Sequence, residues 1–190
     1  MTARTHDLSA ITAFGLIIAV QPVRAVTVAT AIFALFANQL GGVAPDIDQP
    51  TAPFWRNLPI GKFFGKEIDR LLGGHRFITH SLLGLVLFGL GFRWFLDVLH
   101  PIMTKVDIHI VWWAFMVGMI SHLIMDTLTK EGVPWLLPIP IKFGIPPLKR
   151  FRVTTGHLAE KIIFITLFVV DVWYIFANYS HLVNIFHHIS

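Results

Sequence analysis

The amino-acid sequence predicts an all-α protein that crosses a membrane several times. Of its 190 residues, 55% are hydrophobic and only 14% are charged, whereas soluble proteins carry about 25% charged residues. The mean hydropathy is +0.68. The apolar residues are collected into five runs, and most of these approach the length of about 20 residues that a membrane helix requires. We therefore expect one integral membrane domain over residues 1–190.

The five apolar runs predict about five helices, of which four are full spans and the N-terminal one is short. The first run either extends over residues 5–22 or enters the membrane without crossing it. Turns that contain Pro, Gly and charged residues separate the runs. The runs cover residues 8–20, 25–44, 77–99, 108–128 and 162–177.

The positively charged residues predict the orientation. With five spans, twelve of the 15 Lys and Arg residues lie on the N-terminal side of the membrane and three lie on the other side. Because cytoplasmic loops are enriched in Lys and Arg, we expect the N-terminus to face the cytoplasm.

A histidine and an aspartate lie near the end of the fourth apolar run. His122 and Asp126 are four residues apart, so a helix places them on the same face, one above the other. A carboxylate at membrane depth is costly unless it is paired or bound to an ion. This pair therefore predicts an ion site.

Other acidic and histidine residues fall on the same side of the membrane in the predicted topology. Asp46 and Asp48 follow the second run, and His75 and His80 bracket the start of the third. If the first run did not cross, His6 would lie on the opposite face. The candidate metal ligands are His6, Asp46, Asp48, His75, His80, His122, Asp126 and Glu160.

These ligand types favour a divalent metal, with zinc first and manganese or iron as alternatives. The chain has no cysteine, which excludes disulfides, thiolate zinc sites and thiol nucleophiles. Glu160 either ligates the metal or acts as a base on a water molecule, and Asp48 is a second catalytic candidate. Arg76 is a candidate phosphate partner because its planar guanidinium can bind an oxyanion through two hydrogen bonds.

The order of these motifs resembles the YdjM family over essentially the whole chain. The resemblance implies a bacterial inner-membrane protein under LexA control, linked to the SOS response to DNA damage, with metal-dependent hydrolase activity. The motifs are an early His6, Pro45-Asp46-Ile47-Asp48, His75-Arg76-Phe77-Ile78-Thr79-His80-Ser81, Ser121-His122 with Asp126 and Thr129, Gly132-Val133-Pro134 with Leu137-Pro138, and Gly156 with Glu160.

The order of ligands is also similar, more loosely, to that of zinc-dependent phospholipase C enzymes. That likeness implies that His122 and Asp126 are ligands, with Asp126 bridging two metal ions, and that Asp46 or Asp48, His80 and Glu160 complete the site. The chain departs from that pattern at Gly156, where those enzymes have a further histidine four residues before the late glutamate. His157 is displaced from that position by one residue.

The function predicted from these residues is hydrolysis of a phosphoester in a lipid or lipid phosphate by metal-activated water, with Arg76 and Lys130 or Arg152 neutralising phosphate charge. The alternative is a transporter or metal-ion carrier that uses the same cluster. A transporter requires polar residues across the bilayer, and the far halves of the third and fourth helices offer few beyond Arg93 and Asp97. A membrane-tethered nuclease is the third possibility. It requires a larger basic surface than residues 149–152 provide, so we expect no direct binding of nucleic acid.

Overall fold

A computed structural model of the chain describes residues 1–20, 26–49, 51, 55, 61–71, 77–139 and 141–179. Within these ranges the structure is helical with two isolated β-bridges, which confirms the all-α prediction. The α-helices are α1 (Ala3–Val20), α2 (Val28–Val43), α3 (Gly61–Leu71), α4 (Leu82–Leu99), α5 (Ile108–Thr127) and α6 (Leu158–Ala177). Short 3₁₀ turns follow α2 at Ala44–Asp48 and α4 at His100–Ile102, and a third lies at Lys149–Phe151.

Five of these helices correspond to the five predicted apolar runs. Three described segments are long and apolar enough to span a membrane: Val28–Asp48, Leu82–Ile102 and Ile108–Thr127. The helices α1 and α6 are 18 and 20 residues long and are also apolar, but each carries charged side chains. The structure adds α3, a short helix in the polar loop that the apolar pattern does not predict.

Three helix boundaries differ from the predicted runs, and each difference moves a candidate site residue. The helix α1 begins at Ala3, so His6 lies inside it, and α6 begins at Leu158, so Glu160 lies in its first turn. The helix α4 begins at Leu82 because Ser81 is its N-cap: the Ser81 hydroxyl accepts a hydrogen bond from the Gly84 N–H at 3.1 Å. His80 therefore lies in the turn before α4.

The helix α5 lies at the centre of the fold and packs closely against α2. A Cβ atom at Gly118 would lie 2.0 Å from the carbonyl oxygen of Asn38, and one at Gly41 would lie 2.0 Å from that of Phe115. Only glycine permits this approach of two helix backbones. The Asn38 side chain also donates a hydrogen bond to the Ala114 carbonyl at 3.1 Å. This contact joins the second half of α2 to the first half of α5.

The outward faces of α4 and α6 are apolar. Leu90 and Trp94 on α4, and Phe168 and Phe176 on α6, are all more than half exposed. Exposed apolar surface of this extent is characteristic of a protein that contacts lipid. The polar end of the bundle, by contrast, contains buried histidine and aspartate side chains.

Candidate metal centre

Three elements bring four ligand side chains to one point. The 3₁₀ turn after α2 supplies Asp46, the turn before α4 supplies His80, and α5 supplies His122 and Asp126. The side chains of both histidines and of Asp126 are 0–1% exposed, whereas that of Asp46 is 19% exposed. The cluster is therefore buried, with Asp46 at its open side.

The ligand atoms fall into two overlapping groups, within each of which they lie at most 4.8 Å apart: Asp46, His80 and His122, and His6, His122 and Asp126. His80 Nε2 is 3.5 Å from Asp126 Oδ2 and 3.7 Å from Asp46 Oδ1. His122 Nε2 is 3.7 Å from each of the same two oxygens. These distances are too long for good hydrogen bonds. They are close to the separation of roughly 3.3–3.6 Å between neighbouring ligand atoms around a metal ion with bonds of about 2.0–2.2 Å.

His122 is oriented as a metal ligand. Its Nδ1 lies 2.7 Å from the Gly42 carbonyl oxygen, and because a carbonyl only accepts, Nδ1 must carry the proton. The lone pair is then on Nε2, a buried atom that makes no hydrogen bond within the described part of the chain. Metal-bound histidines characteristically donate their other N–H to a carbonyl or carboxylate in this way. The residues therefore fit a metal ion.

His80 is oriented by a chain of two hydrogen bonds. Its Nδ1 lies 2.9 Å from the Thr79 hydroxyl oxygen, and that hydroxyl donates a short hydrogen bond to Asp48 Oδ2. This arrangement points His80 Nε2 at Asp46 and Asp126. Burial lowers the pKa of His80 below its ordinary value, so the imidazole is neutral, which is the form that binds a metal.

Asp48 lies behind His80 and outside the set of converging ligand atoms. Its Oδ2 is 3.8 Å from His80 Nδ1 and accepts the Thr79 hydroxyl. Among the described residues, Asp48 is absent from both groups of converging ligand atoms and contacts His80 through Thr79, so its role as a ligand stays a prediction.

His6 joins the cluster from α1. Its ring stacks on that of His122 with centroids 3.7 Å apart and planes at 10°. Its Nε2 lies 3.3 Å from Asp126 Oδ1, which also accepts a hydrogen bond from the Met1 amino group at 2.7 Å. Asp126 thus presents Oδ1 to His6 and Oδ2 to His80 and His122. A carboxylate that bridged two ions would present its two oxygens to separate sets of ligands in this way.

The Glu160 carboxylate contacts the start of α1. Its Oε1 accepts hydrogen bonds from the Thr2 N–H, the Thr2 hydroxyl and the Thr5 hydroxyl at 2.5–2.8 Å, and its Oε2 accepts the Gly156 N–H at 2.6 Å. Among the described residues, Glu160 is absent from both groups of side chains whose ligand atoms lie within 4.8 Å of one another. These four donors link α6 to the start of α1 through the Glu160 carboxylate. The role of Glu160 as a ligand or base stays a prediction.

Of the predicted phosphate partners, the structure describes Lys130 and Arg152. His75 and Arg76 lie outside the described residues. The Arg152 guanidinium donates to the carbonyl oxygens of Pro146 and Pro147 at 2.8 and 3.0 Å. Arg152 therefore contacts the Pro-rich segment, and its contact with phosphate stays a prediction. Lys130 is exposed.

Two supporting residues were missed by the sequence reasoning. Thr79 was visible only as the neighbour of His80, and its hydroxyl could have suggested a hydrogen bond to the imidazole. Gly42 contributes its backbone carbonyl, for which the sequence gives no side-chain signal.

Comparison with known proteins identifies the family. The chain is 35% identical over 129 residues to "Inner membrane protein YdjM" of Escherichia coli (strain K12) and of Shigella flexneri, and the match covers 68% of this chain and 60% of each relative. It is 26% identical over 140 residues to "Uncharacterized protein YvsG" of Bacillus subtilis (strain 168), which covers 74% of this chain and 76% of that protein. No solved structure matches with comparable significance.

The family model described as "YdjM inner membrane protein" matches residues 1–185. This match confirms the resemblance inferred from the motifs, and the membrane-length helices agree with it. The chain therefore belongs to the YdjM family of inner membrane proteins.

Proposed function

We propose that this protein is a metal-dependent hydrolase that cleaves a phosphoester in a membrane lipid or lipid phosphate. The observation that carries the proposal is the convergence of two imidazole nitrogens and two carboxylate oxygens, with four separations of 3.5–3.7 Å. Nitrogen and oxygen ligands without thiolate favour zinc, with manganese as the alternative.

Each side chain has a defined part in such a site. His80 and His122 provide neutral nitrogen donors, and Asp46 and Asp126 provide the negative charge that balances a divalent cation. When bound, the metal supplies a Lewis acid and a water molecule of lowered pKa. Asp46 is the most exposed of the four, so substrate approaches from its side. A second ion would contact His6 Nε2 and Asp126 Oδ1, and at Asp126 it would compete with the Met1 amino group.

The position of the cluster in the membrane supports a lipid substrate. Asp48 ends one candidate span, His80 precedes another by two residues, and His122 lies in the last turns of the third. The centre therefore lies where the hydrocarbon region meets the headgroups. A lipid phosphate reaches this level by diffusion within the membrane, and basic loops attract anionic headgroups.

The proposal includes an orientation and a phosphate partner. The excess of Lys and Arg on the N-terminal side of the predicted spans supports a centre at the cytoplasmic face. Arg76, four residues before His80, is the proposed phosphate partner. The resemblance also implies a role under LexA control in the response to DNA damage.

The packing of α5 favours hydrolysis over transport. From His122 towards the far face, the buried positions of α5 are apolar at Met119, Phe115 and Val111. Asn38 is a buried polar side chain beside this segment, and its amide donates to the Ala114 carbonyl. A path for ions requires polar groups across the bilayer, and these buried positions do not provide one.

The test is turnover of lipid phosphates by the detergent-purified, zinc- or manganese-supplemented protein. We expect wild type to release product and Asp126→Asn to lose at least about a hundredfold in rate, since loss of an outer-shell partner alone already costs up to that much. The matched control is Asp97→Asn, an aspartate at the other end of the bundle, which should retain wild-type rates. Equal turnover by wild type and Asp126→Asn would contradict the proposal.

A further inference from the structure

We infer that an apolar groove beside the metal centre binds one hydrocarbon chain of the lipid whose phosphate occupies that centre. The inference rests on the proposed function for the identity of the headgroup. The groove is a separate binding site, formed by other residues. It would select a lipid phosphate that has a long hydrocarbon chain.

The groove lies between α2 and α4, with α5 as its floor. Its volume is about 450 Å³, within the range of about 300–1,000 Å³ that is usual for small-ligand pockets. Eleven described residues line it, and none has a polar or charged side chain. A phosphate group or an ion would find no polar side chain there, whereas a hydrocarbon chain would make apolar contacts along its length.

One end of the groove borders the metal centre. Ala44 and Ile47, on either side of Asp46, line it, as does Ile78, two residues before His80. The same 3₁₀ turn therefore presents a carboxylate to the metal centre and apolar side chains to the groove. The headgroup and the chain of one lipid molecule could thus be held by adjacent residues.

The groove follows the direction of a chain that descends from the headgroup level, and it reaches about the middle of the membrane. Along α4, which begins at Leu82, the lining runs from Leu87 to Phe95, or from roughly 8 to roughly 20 Å from the start of the helix. On α5, the lining residue Phe115 lies seven residues, or roughly 10 Å, deeper than His122. One leaflet has a hydrocarbon depth of roughly 15 Å. The groove therefore begins at the headgroup level and follows the membrane normal inward, as an acyl chain does.

Gly91 offers a way to fill the groove without disturbing the fold. It lines the groove, and a Cβ atom placed on it would meet no heavy atom within 4 Å. Gly91→Phe should therefore place a ring in the groove, with no clash at the Cβ position. Leu90→Phe is the matched control, because Leu90 is 65% exposed and lies outside the groove lining.

The experiment is photolabelling of the full-length protein in phosphatidylcholine vesicles with phosphatidic acid that carries a diazirine near the end of one chain. We expect labels on the deep groove residues Phe92, Phe95 and Phe115, retained in Leu90→Phe and largely lost in Gly91→Phe. Phosphatidylcholine with the same diazirine should label the groove much less. Equal groove labelling by both lipids would mean that bulk lipid fills it and would overturn the inference, as would unchanged labelling of Gly91→Phe.

A turnover measurement separates this inference from the proposed function. Gly91→Phe should lose most of its kcat/KM towards long-chain phosphatidic acid and keep that towards a water-soluble phosphate monoester. Equal losses on both substrates, or no loss on either, would contradict the groove as a chain site. If wild type hydrolyses neither substrate, the proposed function fails, and the photolabelling alone decides whether the groove holds the chain of an anionic lipid.

Discussion

The two ends of the helix bundle use the same residue types in opposite settings. At the end away from the metal centre, Arg93 contacts Asp97 at 3.1 Å and His109 at 3.2 Å. These side chains are exposed, with Arg93 and Asp97 at 34% and 50%. At the metal centre, His80, His122 and Asp126 are at most 1% exposed.

The difference shows what distinguishes the candidate metal centre from an interfacial ion pair. Arg93 and Asp97 are four residues apart on one helix, and an exposed pair of this kind contributes about 0.2–1 kcal/mol. The polar atoms of the metal centre come from separate elements, and His122 Nε2 is buried with its nearest carboxylate oxygens at 3.7 Å. Burying such groups is costly without a ligand. Convergence and burial therefore identify the site better than residue type.

The largest effect on the metal centre among these variants is expected at Asp48. This residue contacts His80 through Thr79 and is not one of the four converging ligands. Asp48→Asn removes the charge behind the Thr79 hydroxyl and should lower zinc affinity about 10–100-fold, the usual effect of losing an outer-shell partner. Affinity is measured by competition with a chelator, with Asp97→Asn as the control. Unchanged zinc affinity would show that the hydrogen bonds through Thr79 do not orient His80.

A moderate effect is expected at Glu160, a buried carboxylate near the centre that the structure uses for packing. Glu160→Gln keeps an acceptor for Thr2 and Thr5 but loses the one for the Gly156 N–H, which should cost about 1–3 kcal/mol. We expect a lower melting temperature in detergent and an unchanged ratio of metal to protein. Loss of metal without loss of stability would restore Glu160 to the predicted role of ligand.

The smallest effect is expected at the exposed end. Asp97→Ala removes the partner of Arg93 and should change the free energy of unfolding by no more than about 1 kcal/mol. Metal content and turnover should match wild type. A large loss of either would mean that the two ends of the bundle are coupled, which the account does not predict.

Much of the fold follows from local sequence signals. Apolar runs and low charge predict the membrane helices, and the i, i+4 spacing places His122 and Asp126 on one face of α5. The sequence could not separate the roles of Asp46 and Asp48. They lie two residues apart in a 3₁₀ turn, where three residues complete a turn, so they point in different directions.

Long-range contacts are the other feature that the sequence does not show. The partners of Glu160 are Thr2 and Thr5, more than 150 residues away in the chain, and no local pattern links them. These contacts also explain why α1 begins at Ala3. The polar residues before the predicted run at residue 8 are stabilised by α6, which the apolar pattern cannot show.

The most direct test is elemental analysis of the detergent-purified protein beside the double variant His122→Ala/Asp126→Ala. A second double variant, Asp97→Ala/His109→Ala, makes the same kinds of change at the exposed end. We expect one or two equivalents of zinc or manganese in wild type and in the second variant, and loss of that metal in the first. Equal metal content in all three proteins, or no bound metal in any of them after supplementation, would contradict it.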